Sequence, residues 1–143
     1  MILFCSMDDA LEKLKEPFDE KYCITISSNK GLLYGFSQRP DLAPSSELYY
    51  KTFYSWKKLK FTEEELGEMS EGKTHTWFDL YEKRFLQEMK TRKDMRKALS
   101  ELEDSLRKGK NIICYCYCSD CNKCHRKLLY QYFNELGYQA ELM

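Results

Sequence analysis

Apolar positions along this chain alternate between two periods, and the alternation predicts its elements. Ile2 to Cys5 is a continuous apolar run, a short strand. Ser6 follows with Asp8 and Asp9 behind it, the signature of a capped helix over Met7 to Leu14, which Pro17 closes. Lys21 to Ser27 sets Tyr22, Ile24 and Ile26 against Cys23, Thr25 and Ser27, a second strand. Ser28 to Pro44 shows neither period and holds Gly31, Gly35, Pro40 and Pro44 around Arg39. A loop this long in a small domain serves function or motion. Pro44 or Ser45 then opens a helix to about Lys57, with Tyr49, Phe53 and Trp56 on one face.

The second half is more regular. Thr62 with Glu65 forms a capping box for a helix that stops near Gly67. Ser70 to His75 is polar and predicts a loop. Thr76 with Asp79 caps the next helix, with Phe78, Tyr81, Phe85 and Met89 inward. Thr91 is expected to cap another, where Met95, Ala98, Leu99, Leu102 and Leu106 form a 3.6-residue stripe. Glu103–Arg107 and Asp104–Lys108 are its expected i,i+4 pairs, and Gly109 ends it. Asn111 to Cys116 is the strongest strand. The last helix buries Leu128, Leu129, Tyr132, Phe133 and Leu136 and stops at Gly137, and Tyr138 to Leu142 closes as a strand. This order predicts a single three-layer α/β domain over residues 1–143, with a small, mostly parallel sheet of about four strands flanked by helices.

Composition narrows the function classes. Lys plus Arg and Asp plus Glu both number 23, so no global field steers the chain to nucleic acid or membrane. Met1 to Met7 lacks a basic start and meets Asp8 and Asp9, unlike a secretory leader, and no apolar run suits a bilayer. The expected location is cytoplasmic, where thiols stay reduced.

That matters because five of the seven cysteines, with one of the two histidines, fall between Cys114 and His125. Three readings compete. In the first, Cys124, His125 and Arg126 open the last helix, where free N–H groups and the helix dipole favour an anion or a thiolate. Arg126 then holds phosphate or carboxylate, and Cys124 and His125 are the candidate catalytic pair. The Cys-x5-Arg loop of tyrosine phosphatases is excluded, because Asp120 stands six residues before Arg126. In the second, Cys118, Cys121, Cys124 and His125 are metal ligands, with zinc the fitting ion and an iron–sulfur cluster a weaker match. In the third, the cysteines are small apolar filler. That reading is the stronger for Cys5, Cys23, Cys114 and Cys116.

Arg39, Ser45 and Asp120 join Arg126 as candidate ligand-binding residues, since loops after the second and third strands should open on one sheet edge. His75, with Thr74 and Trp77, is a weaker candidate for the border of a site. Tyr49, Tyr50, Phe53, Tyr54 and Trp56 exceed the needs of one buried face, so core packing is joined by a stacking-surface reading. Lys57, Lys58 and Lys60 read as a solvated face. Lys108, Lys110, Lys123, Arg126 and Lys127 leave room for a nucleic-acid contact.

Taken together, the Ile24–Ser27 strand, the Leu42-Ala43-Pro44-Ser45 turn with Leu48 and Tyr50, Trp77–Tyr81, Ile112–Cys118 and the Cys124-His125-Arg126 triplet resemble a known family. It is the family numbered four hundred and eighty-eight among domains of unknown function, in its small bacterial and phage form. The resemblance implies a compact α/β domain with a pocket at the triplet, and it supplies no reaction. Cys118 and Cys121 depart from the family pattern. The expected function is binding of a phosphate- or carboxylate-bearing small molecule or nucleotide at the triplet. The alternative is a zinc-stabilised interaction or nucleic-acid-binding regulatory module, phage-encoded in one version.

Overall fold

The computed structural model describes residues 1–27, 31–73, 76–118 and 120–143. His75 and Thr74 lie outside the described residues. Five strands form one sheet: β1 Ile2–Ser6, β2 Glu20–Cys23, β3 Ser37–Gln38, β4 Ile112–Cys116 and β5 Ala140–Leu142. Their spatial order is β3-β2-β4-β1-β5, and every pairing is parallel. The fifth strand beyond the expected four is β3. Two residues are too few to show a period, so pattern reading left them in the long loop.

Parallel strands need covered faces, and the side-chain alternation shows both faces covered. Ile2 and Phe4 of β1 and Ile112, Cys114 and Cys116 of β4 face one core. Against them pack α4 (Trp77–Thr91), α5 (Lys93–Arg107) and α6 (His125–Glu135). Leu3, Cys5, Ile113 and Tyr115 face the opposite core, under Ala10 of α1 (Met7–Glu12). A helix–sheet–helix sandwich results.

Local signals account for the helix starts. Ser6 Oγ accepts from Asp9 N–H (3.2 Å), Thr62 and Glu65 form a reciprocal box, and so do Thr76 and Asp79. The helix after Thr62, α3, runs over Glu63–Ser70, past Gly67. Thr91 is not a cap. It is the last residue of α4, and its hydroxyl donates to the Gln87 carbonyl (2.9 Å). Arg92 makes the corner instead, binding Asp94, Glu88 and the Ala43 carbonyl. On α5 the Glu103–Arg107 pair forms at 3.7 Å, while Asp104 pairs with Arg107 and not in the expected i,i+4 register. Leu136 is 50% exposed, because the helix unwinds there into Gly137 at φ 91°.

The helix expected to reach Lys57 divides in two. An α-helical part, α2 (Ser46–Lys51), passes into a π-helical stretch over Thr52–Trp56. The wider turn is seen in the Lys57 N–H bond to the Thr52 carbonyl (2.7 Å). Its buried face is Leu48, Thr52 and Trp56, with Tyr49 and Phe53 only half-buried. Ser45 caps α2 and also bonds through its N–H and hydroxyl to Glu88 of α4. With Arg92 on Ala43, these bonds clamp the Leu42–Ser45 turn onto the end of α4.

Candidate functional site

Because β2 and β4 are parallel neighbours, the chain leaves both at the same sheet edge. A hollow of about 510 Å³ opens there. Its floor holds Cys116, the last residue of β4, with Cys118, Cys124 and His125. Tyr49, Phe53 and Tyr54 wall one side, and Trp77 and Tyr81 of α4 also line it. Lys57 and Lys123 add two cations.

The sulfur atoms are close together. Cys116 Sγ and Cys124 Sγ lie 3.1 Å apart, and Cys118 lines the same cavity. Arg126 is 1% exposed, yet among the described residues no carboxylate pairs with it. Its Nη1 donates to Cys116 Sγ (3.1 Å) and to the Cys118 carbonyl (2.7 Å), and its Nε has no partner. A buried guanidinium needs a counter-charge, and the sulfurs are the groups in reach. Burial acts to lower the Arg126 pKa, but Cys116, Cys124 and Cys118 outweigh it and hold it above the usual value.

Hydrogen bonds from Cys116 and Cys124, then the charges of Arg126 and Lys57, work against burial and bring the Cys118 thiol down to about 3. Cys124 moves the other way. Burial, then its bonds to Cys116 and Cys118, push it well above the ordinary thiol range. These directions favour negative charge on Cys118 and the proton on Cys124. As the residue before α6, Cys124 also places the cluster at the positive end of the helix dipole.

His125 is fixed by the sheet. Its Nε2 is 2.7 Å from the Ile24 carbonyl, which can only accept, so Nε2 carries the proton. Nδ1 is left as a lone pair 3.6 Å from Cys124 Sγ. Burial, opposed by Cys116 and by the Ile24 bond, keeps the ring neutral by lowering its pKa. The same bond explains why β2 stops at Cys23 short of the expected Ser27, since the Ile24 carbonyl serves His125. Donor atoms of Cys116, Cys124 and His125 lie within 4.8 Å of one another, a set able to hold a metal ion.

Several sequence candidates fall elsewhere. Arg39 binds Asp41 through two nitrogens and Glu101 through one, and lies over the Tyr22 ring. With Ser45 it lines a separate hollow of about 420 Å³ that shares only Ile26 and Pro44 with the first. Asp120 is exposed and accepts from Asn122 N–H in the turn before α6. Arg126 is at the site but faces sulfur, outside the cavity lining. Cys121 is half-buried in a 3-10 turn and, like Cys118, lies outside the close donor set. Cys116, read as core filler, is part of the floor. Its place at the carboxyl end of the strongest strand was the signal for it. Lys57, read as a solvated face, lines the cavity. Cys5 and Cys114 are inert core thiols, with burial pushing Cys5 up to about 12 and Cys114 higher still.

Among the described residues no helix is long and apolar enough to cross a membrane. Residues 30–137, well over half of the chain, match the family model described as the active DUF488-N3 subclade. No curated protein and no solved structure gives a match. The matched span contains the aromatic residues of the cavity, the three floor cysteines and Arg126, whereas Thr25, Ile26 and Ser27 of the lining, and Ile24, which fixes His125, precede it.

Proposed function

The chain belongs to the DUF488 family, and on that premise we propose that its cavity binds a phosphate- or carboxylate-bearing small molecule, a nucleotide by chemical class, at Lys57 and Lys123. The carrying observation is the pair of lysines, Lys57 and Lys123, in the lining of a cavity walled by aromatic rings. Arg126 is engaged by Cys116 sulfur, so the ligand's anion is met by the two lysines and not by Arg126. Aromatic walls support a planar ring in the same ligand, since such faces stack on bases. The volume suits a molecule of that size. This reading takes the cytoplasm, where thiols stay reduced, as the working compartment.

Calorimetric titration with nucleoside monophosphates and with inorganic phosphate tests this. Saturable nucleotide binding is expected, weakened about tenfold in Lys57→Ala by loss of one charge contact. An absence of binding by any nucleotide at about 1 mM overturns the reading.

One observation favours a second reading, zinc on the floor. A histidine with one nitrogen held by a backbone carbonyl and the other turned to thiols has the geometry of a metal ligand. Zinc supplies Lewis-acid chemistry or local stiffness there, held by Cys116, Cys124 and His125. About one zinc per purified chain, with a melting temperature that falls on chelation, is the expected result of that reading. Metal-free protein of unchanged stability removes it.

A further inference from the structure

We propose that the nucleotide held in this cavity is one unit of a single-stranded nucleic acid, whose next base lies on the exposed Tyr50 and Tyr54 rings and whose backbone runs along Lys57 and Lys58. This rests on the cavity reading above and deepens it, from a free nucleotide to a strand. Two rows of side chains carry it.

The rows come from helical spacing. Side chains four apart share a face, so Tyr49, Phe53 and Lys57 form one row, and Tyr50, Tyr54 and Lys58 form the next. The first row lines the cavity, with Lys57 Nζ 5.0 Å from the centre of the Phe53 ring. The second row leads from the cavity into solvent. Tyr50 is 57% and Tyr54 60% exposed, and Lys58 is exposed and outside the lining. Core packing does not account for these two rings. The buried face of the segment is Leu48, Thr52 and Trp56, whereas Tyr50 and Tyr54 stack on each other, with centroids 5.7 Å and planes 23° apart. Near-parallel rings facing water beside an aromatic-walled hollow make a platform, because every base has a π-face to lay on them.

Charge selects the occupant. Lys58 Nζ lies 5.5 Å from the centre of the Tyr54 ring, which repeats the placement of Lys57 over Phe53. Lys51 is tied to Glu47 (3.7 Å), but among the described residues neither Lys57 nor Lys58 forms an ion pair. No described carboxylate lines the cavity, where Lys123 adds a third cation. Both rows therefore end in a cation next to stacking rings, the pairing that a strand of alternating bases and phosphates fits. A neutral aromatic peptide would cover the rings and leave the cations unmatched. A duplex would match the cations but keep its base faces hidden.

Calorimetric titration of the reduced full chain with thymidine monophosphate, a thymidylate dodecamer and a self-paired hairpin of equal length tests this. Per nucleotide, the dodecamer should bind at least about tenfold more tightly than either the monophosphate or the hairpin. Tyr50→Ala and Lys58→Ala change exposed positions, and each should narrow the dodecamer-to-monophosphate ratio at least about threefold. Lys58→Ala should also flatten the log–log salt dependence of dodecamer binding by about 0.7. A hairpin that binds as tightly as the open strand overturns the proposal, since charge alone then explains the binding. So does a ratio that neither substitution narrows. Monophosphate binding with no gain from the strand overturns this proposal and leaves the cavity reading standing, while binding of none of the three overturns both.

Discussion

Replacing Arg126 with Met isolates the charge that organises the floor. The substitution keeps a long side chain in a site only 1% exposed and removes the cation 3.1 Å from Cys116 sulfur. At that separation a unit pair is worth about 1.3 kcal/mol in a water-like medium and about 5 kcal/mol at an effective dielectric near 20. Cys118, whose thiol Arg126 also lowers, should titrate at a higher pH in the variant. Fold stability should change much less where the thiols are protonated. A buried guanidinium carries its own desolvation penalty, and an apolar replacement of similar volume offsets the lost hydrogen bonds. The assay is iodoacetamide alkylation of Cys118 across pH, read by peptide mass. The native chain should react at a nearly constant rate from about pH 8 down to about pH 5, and in Arg126→Met the fall in rate should begin at a higher pH than in the native chain. A folded variant whose rate falls at the same pH as the native chain refutes the assignment of Arg126 as the counter-charge.

Other outcomes follow from the same structure. Cys118 titrates near 3 when folded against 9.0 ordinarily, so the stability it contributes is full above about pH 9 and is lost as pH falls toward about 3. Cys118→Ser should therefore flatten the acid side of the urea-midpoint profile, and an unchanged slope there sinks the claim. Cys124 works in the opposite sense, since its raised value adds stability below the ordinary thiol pKa that fades as pH rises past it. Phe85→Ala empties a fully buried position whose ring lies 5.7 Å from His125 and 6.0 Å from Tyr81. It should cost about 3–5 kcal/mol in denaturant unfolding, and a loss under about 1 kcal/mol contradicts the packing. Ser45→Ala removes both a helix cap and a bond to Glu88 and should cost about 1 kcal/mol by thermal unfolding, while a neutral result denies the clamp.

What the sequence made legible was whatever its own neighbours decide. Ser6, Thr62 and Thr76 cap helices through bonds spanning three residues, so their patterns translated directly. The α5 stripe did too, since Met95, Ala98, Leu99, Leu102 and Leu106 are all buried. Thr91 failed because a hydroxyl at a helix end and one at a helix start look alike in sequence. The π turn failed because an i→i+5 bond leaves no mark in a 3.6-residue pattern. At the site, the Cys124–Arg126 triplet was visible as a group, but its partners were not. A central parallel strand is apolar on both faces, so Cys116 looked like its neighbours Cys114 and Ile112. Arg39 was expected at the triplet because loops leave one edge together, but Asp41, two residues on, claims it with two bonds.

The strand order has a bearing on how the chain comes off the ribosome. β1 is made before the other four strands, but both strands that flank it, β4 and β5, lie far along the chain, with Ile2 beside Ile112 and Ala140. Until those arrive, its backbone has no sheet partner on either side, and its apolar side chains have no finished layer to enter. The first strand of the sheet to be made thus waits longest for its neighbours, and it is the strand a holding chaperone would be asked to shield.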